Sequence, residues 1–125
     1  MRKSLMFAVA LTVAGPAMAQ SMNAEVYNQR IQALMKKGAM ALFSMGEINK
    51  LTAEAKAAGI KSNNLRLAAV RSGGKPRFCP PAGQNLALGQ KEFLSRFGQI
   101  PPGERAHIDM TEAMTRVFAG KYPCS

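Results

Sequence analysis

Two cysteines, one histidine and a few clustered carboxylates are the side chains of this sequence to which chemistry is most readily assigned. Cys79 and Cys124 lack the C-x-x-C spacing of redox and zinc motifs, and no histidine lies near either one, so a metal or thiol-exchange pair is disfavoured. An even cysteine count in an exported chain points instead to a structural disulfide. Such a bond closes a loop of about 45 residues, for which the chain-entropy relation gives an upper guide of roughly 4 kcal/mol. His107, beside Arg105 and two residues before Asp109, would need a nucleophile or second acid held at a fixed distance, and the sequence supplies none. It reads as a surface histidine, and Glu104, Asp109 and Glu112 read as a solvated helix face. Met35, Met40 and Met45 suggest a soft-metal site, but a spacing of five turns each about 140° from the last on a helix. They read better as adaptable packing at a core or a partner surface. With no zinc signature, phosphate loop or nucleophile elbow, no catalytic, cofactor-binding or metal-binding residue is assigned and an enzyme is disfavoured.

The export on which the disulfide depends is written in residues 1–19. Arg2 and Lys3 form a charged start, Leu5 to Val13 an apolar run, and Ala17 and Ala19 the small residues of a cleavage site, which predicts cleavage between Ala19 and Gln20. The apolar run is too short to cross roughly 30 Å of hydrocarbon, so no stable membrane anchor is expected. No cysteine follows the cleavage site to carry a lipid. The predicted location is the periplasm, or release from the cell.

Removing nineteen of 125 residues leaves 106, enough for one domain (20–125) with a modest core. Lys plus Arg falls from 17 to 15 against seven acids, a net charge of +8. Outside the cytoplasm this favours acidic proteins, anionic headgroups or cell-wall polymers over nucleic acid, with a merely solubilising surface as the bland alternative.

The elements expected to position these residues are all helical. Asn23 as N-cap and Glu25 in the first turn predict a helix from Ala24 to Lys37, with Tyr27, Ile31, Leu34 and Met35 on one face and Gly38 as its stop. A short apolar stretch, Ala39 to Phe43, leads to a long helix from Met45 or Gly46 to Arg71, in which Ile48, Leu51, Ala55, Ala58, Leu65 and Ala69 track a heptad with Ser62 in the vacant position. Gly59 weakens it by about 1 kcal/mol, so a break there is the alternative. The Ser72 to Pro76 run ends that element, and Pro80 and Pro81 hold the chain extended after Cys79. A third helix is expected over Leu88 to Gly98, with Phe93, Leu94 and Phe97 apolar and Ile100 just beyond. A fourth opens at Pro101 and Pro102 and runs to Gly120 with Ala106, Met110, Ala113, Met114, Val117 and Phe118 as its stripe. No strand-like alternation of useful length occurs. The reading is an all-α domain of three to five helices: N-terminal helices over 20–75 and a disulfide-closed region over 78–125.

Within that second region the runs FCPP, EFLSRF, IPPGERAH and VFAGKYPC resemble the Rap/Tai family of type VI secretion immunity proteins. The shared pattern is a cysteine followed by proline, a short helix, a proline-led turn and a terminal aromatic, proline, cysteine: here Cys79, Pro80, Phe93, Leu94, Pro101, Tyr122, Pro123 and Cys124. The resemblance covers about 48 residues and implies a periplasmic, helical, non-enzymatic protein that can dimerise and that binds and blocks a toxin, often a peptidoglycan amidase. Upstream the sequence departs from the pattern, with Ala- and Lys-rich helices and no further cysteine.

Two functions are therefore expected. The first is a periplasmic binding protein of the immunity kind, whose basic helices engage an acidic toxin or hydrolase. The second is an envelope stress or chaperone-like protein that associates with anionic lipid or unfolded chains through basic amphipathic helices.

Overall fold

The computed structural model describes residues 21–125 apart from Gln84, so the expected signal peptide and its cleavage point between Ala19 and Gln20 lie outside the described residues. The elements are α1 (Ala24–Lys36), a 3-10 segment (Gly38–Ser44), α2 (Met45–Arg71), α3 (Gln90–Gly98), α4 (Pro102–Arg105) and α5 (Met110–Lys121). The domain is all-α, and the extended pairing among the described residues is one isolated bridge between Asn23 and Asp109.

Local chemistry explains most boundaries. The Asn23 carboxamide accepts from the backbone N–H groups of Glu25 and Val26 at 2.9 and 3.1 Å, which caps α1. Gly38 ends that helix at φ +54°, a left-handed conformation that favours glycine. α2 runs unbroken through Gly59, so the break weighed above does not occur. Met114 and Phe118 of α5 pack against the glycine, 3.5 and 3.8 Å from where a Cβ would stand, and this contact offsets the low helix propensity. α3 begins at Gln90 rather than Leu88; Leu86 and Leu88 pack onto the core from the preceding extended segment.

The expected fourth helix is in fact two. α4 ends after one turn, and Asp109 starts α5 afresh by accepting from the Glu112 N–H at 2.8 Å. The break arises because the chain before α1 takes the backbone groups a continuous helix would use: Ala24 N–H donates to the Ile108 carbonyl at 2.9 Å and Met110 N–H to the Met22 carbonyl at 2.7 Å. Ala106 is consequently exposed and outside the stripe, and Asp109, itself exposed, serves as the N-cap of α5.

α5 is the centre of the fold, with Met110, Ala113, Met114, Val117 and Phe118 all buried, and α2 and α3 pack across it while α1 meets α4 and its N-terminal end. Leu51, Ala58 and Ser62 form the buried part of the α2 seam. The seam stays sealed at Ser62 because its hydroxyl bonds that of Thr115 at 2.6 Å, and Thr115 in turn donates to the Thr111 carbonyl at 2.8 Å. Beyond Ser62 the heptad does not bury: Leu65 is 57 % exposed. A 27-residue helix is about 40 Å long and its 12-residue partner about 18 Å, so α2 outruns the surface that could cover it.

Cys79 and Cys124 form the disulfide. It joins the segment after α2 to the end of α5, beside a backbone bond from Cys79 N–H to the Tyr122 carbonyl at 2.8 Å. Both half-cystines are exposed, with Phe78 buried just behind them against Phe118 at 5.1 Å between ring centres. A second aromatic group, Tyr27 edge-on to Phe93 and Phe97 at 6.1 and 5.6 Å, anchors α1 to α3.

Candidate functional site

The residues singled out for chemistry do not converge. His107 stands exposed in the turn between α4 and α5. Its neighbour Arg105 is turned inward, donating to the Glu25 carboxylate and the Ile100 carbonyl at 2.7 Å each. Glu104 pairs with Arg116 at 3.4 Å, and Glu112 with Arg116 and Arg77. The hydrogen bond from Arg77 is the main reason the Glu112 carboxyl lies below its ordinary range. These carboxylates hold α4, α5 and the segment after α2 together. Among the described residues no group of three or more His, Cys, Asp or Glu side chains is disposed to hold a metal ion.

The structure instead presents a groove of about 950 Å³ between α1, the 3-10 segment, α2 and α3. Such a volume is typical of ligand sites. Ile31, Leu34 and Met35 supply the α1 wall, Ile48, Ala55 and Ile60 the α2 wall, and Leu86, Leu88 and Leu94 the third side. Met114 and Phe118 form the floor with Gly59, whose lack of a side chain deepens it. The wedge stays open because α1 rests on α4 and α5 while α2 rests on α5. Tyr27 closes its base, donating its hydroxyl to the Leu51 carbonyl at 3.1 Å. Burial, with the Glu54 charge as a lesser cause, pushes the Tyr27 phenol up to about 12, so it stays protonated as that donor.

Three of the groove's five polar side chains, Tyr27 among them, already have a partner. Thr52 donates to the Ile48 carbonyl at 2.8 Å, and Asn63 accepts from Arg66 at 3.0 Å. Gln90 and Lys56 are the remaining polar lining residues, and Lys56 has no hydrogen-bond or ion-pair partner among the described residues.

Unpaired positive charge and apolar exposure concentrate in the same stretch of the chain among the described residues. All seven acids are engaged: Glu25, Glu47, Glu92, Glu104 and Glu112 in ion pairs, Glu54 by the Met22 N–H at 2.6 Å, and Asp109 as a cap. Of the nine Lys and Arg residues with no acidic partner among the described residues, eight lie between residues 36 and 75 and only Lys91 outside. Among the described residues every exposed large apolar side chain lies between Val26 and Val70, led by Phe43 at 84 % and Leu42 at 71 % exposure, with Met35, Met40 and Met45 around them. The sequence placed the three methionines on no shared helix face; all three are exposed, Met35 in the last turn of α1, Met40 in the 3-10 segment and Met45 at the start of α2. Apolar exposure concentrated in this way makes the stretch a candidate interaction surface.

Sequence reasoning missed the groove because its walls look like ordinary helix faces. The available signal was the run Ala39 to Phe43, too apolar for a solvated connection and too short to be a core helix. No family model, characterised protein or solved structure matches the chain.

Proposed function

We propose that the protein is a non-catalytic envelope protein that associates with anionic membrane surfaces through α1, the 3-10 segment and α2. The observation that carries this reading is the coincidence, in the stretch from α1 through the 3-10 segment to α2, of the cations without an acidic partner among the described residues and the exposed apolar side chains. Apolar side chains enter the headgroup and acyl boundary while lysines meet anionic phosphates, and each cation near such a surface contributes about 1 kcal/mol. Because no helix among the described residues is long and apolar enough to cross a bilayer, attachment would be peripheral. The Rap/Tai resemblance favours a toxin partner instead. It rests on residues 78–125, where large apolar side chains are covered and every acid is engaged, so the lipid reading ranks first.

Co-sedimentation tests it. The protein is expected to pellet with phosphatidylglycerol-containing vesicles at low salt, to release at high salt, and to ignore phosphatidylcholine. Leu42→Ser/Phe43→Ser, which alters only exposed side chains, is expected to weaken binding at least tenfold. Indifference to anionic vesicles, or full binding by the double variant, would reject the proposal.

A further inference from the structure

We propose that the groove between α1, α2 and α3 takes one acyl chain of an anionic phospholipid, with the phosphate held at the rim by Lys56; this inference rests on the membrane-surface reading above and gives it a specific binding site. Three observations select this occupant. A buried ligand must satisfy its own polar atoms or find partners for them, and the Tyr27 and Thr52 hydroxyls and the Asn63 side-chain oxygen are already engaged. An acyl chain has no polar atoms to satisfy, whereas an extended peptide would leave backbone groups unpaired. The lining offers one unpartnered charge, and it is positive, complementary to a phosphate. The groove also adjoins the exposed apolar stretch, since Met35, Gly38 and Ala41 line it while Met40, Leu42 and Phe43 of the same stretch are exposed, so a chain lifted from a bilayer has an apolar route into it.

Methionine methyl groups give a direct test, because Met114 forms the groove floor whereas Met110 is buried away from it. The protein freed of residues 1–19, which retains every described element, is labelled with methyl-¹³C methionine and titrated with dihexanoyl phosphatidylglycerol below its micelle concentration. The Met114 methyl signal, assigned with Met114→Leu, is expected to shift while Met110 stays fixed. Dihexanoyl phosphatidylcholine is expected to need at least tenfold more lipid. Lys56→Glu is expected to raise the phosphatidylglycerol requirement at least tenfold, and Lys50→Glu, on the same helix but outside the groove, less than threefold. Thr52→Trp, which fills the mouth from an exposed helix position, is expected to abolish the shift with helicity unchanged.

The outcomes separate the two readings. An unmoved Met114 in protein that still binds anionic vesicles overturns the groove proposal and spares surface association. A Met114 shift in protein that ignores vesicles sustains the groove and removes surface association. A shift produced by raising protein concentration alone assigns the groove to a second copy, and one produced by an acidic amphipathic peptide but not by lipid assigns it to a protein partner; either overturns the proposal.

Discussion

Replacing Gly59 with alanine is predicted to stabilise the protein by about 1 kcal/mol. Glycine inside a helix is less favourable than alanine by about 0.8–1.0 kcal/mol, because the unfolded chain loses more freedom when it is fixed. That gain survives only if the new methyl finds room. At Gly59 the backbone is helical, and the added Cβ would stand 3.5 Å from the Met114 methyl and 3.8 Å from the Phe118 ring, ordinary van der Waals contact with flexible or planar groups. Contact of that kind adds a few tenths of a kcal/mol at most, since the other side of the methyl faces the open groove. In urea unfolding the midpoint should rise at constant m, and the melting temperature should rise by about 4 °C or slightly more. A lower or unchanged midpoint would refute the reasoning, showing that α5 approaches α2 too closely there for any side chain. The same methyl narrows the groove floor, so if the groove holds a lipid as proposed the stabler variant should bind phosphatidylglycerol more weakly.

Three further outcomes are expected. Cys79→Ala/Cys124→Ala should lose up to about 4 kcal/mol in oxidising buffer, the cost of reopening a loop of 45 residues; a variant as stable as the oxidised parent removes the bond from the stability account. Arg105→Ala should cost about 3 kcal/mol by urea unfolding, because it strands the Glu25 carboxylate and the Ile100 carbonyl, and Arg105→Lys should recover only part; a loss under 1 kcal/mol would mean that solvent replaces both bonds. Tyr27 sets an alkaline limit: its phenol is raised from 10 to about 12 in the folded state, so its contribution is complete below pH 10 and lost as pH rises toward 12, on the order of 2 kcal/mol. Tyr27→Phe should abolish that step in a pH series of unfolding midpoints, and its persistence would place the titrating group elsewhere.

Local signals in the sequence located α1, α2, α3 and the disulfide, because each is set by residues close to it: Asn23 as cap, Gly38 as stop, the Ser72 to Pro76 run, and two cysteines with no competitors. The division between α4 and α5 was not legible, since it is imposed by Met22 and Ala24 from more than 80 positions away. Asp109 alone carried a trace of it, as an Asx residue three before Glu112. Leu65 misled for a related reason: a heptad states which face could be buried, whereas the length of the partner decides how much of it is. The groove is a non-local property as well. It exists because α1 and α2 both lean on other elements, and hydrophobic periodicity reads the same on a face that meets a neighbour and on one that meets an open wedge.

The pairing of Met22 and Ala24 with Met110 and Ile108 has a consequence for the timing of folding. Met22 and Ala24 are fastened by residues more than 80 positions later, Ser21 bonds Thr111, and the disulfide needs Cys124, which follows α5. Chains emerge N-terminus first, so α1 and α2 are complete long before the helix that covers them exists. Until then α1 and α2 lack the helix against which they pack in the folded domain, so the arrival of α5 is the event that closes the structure.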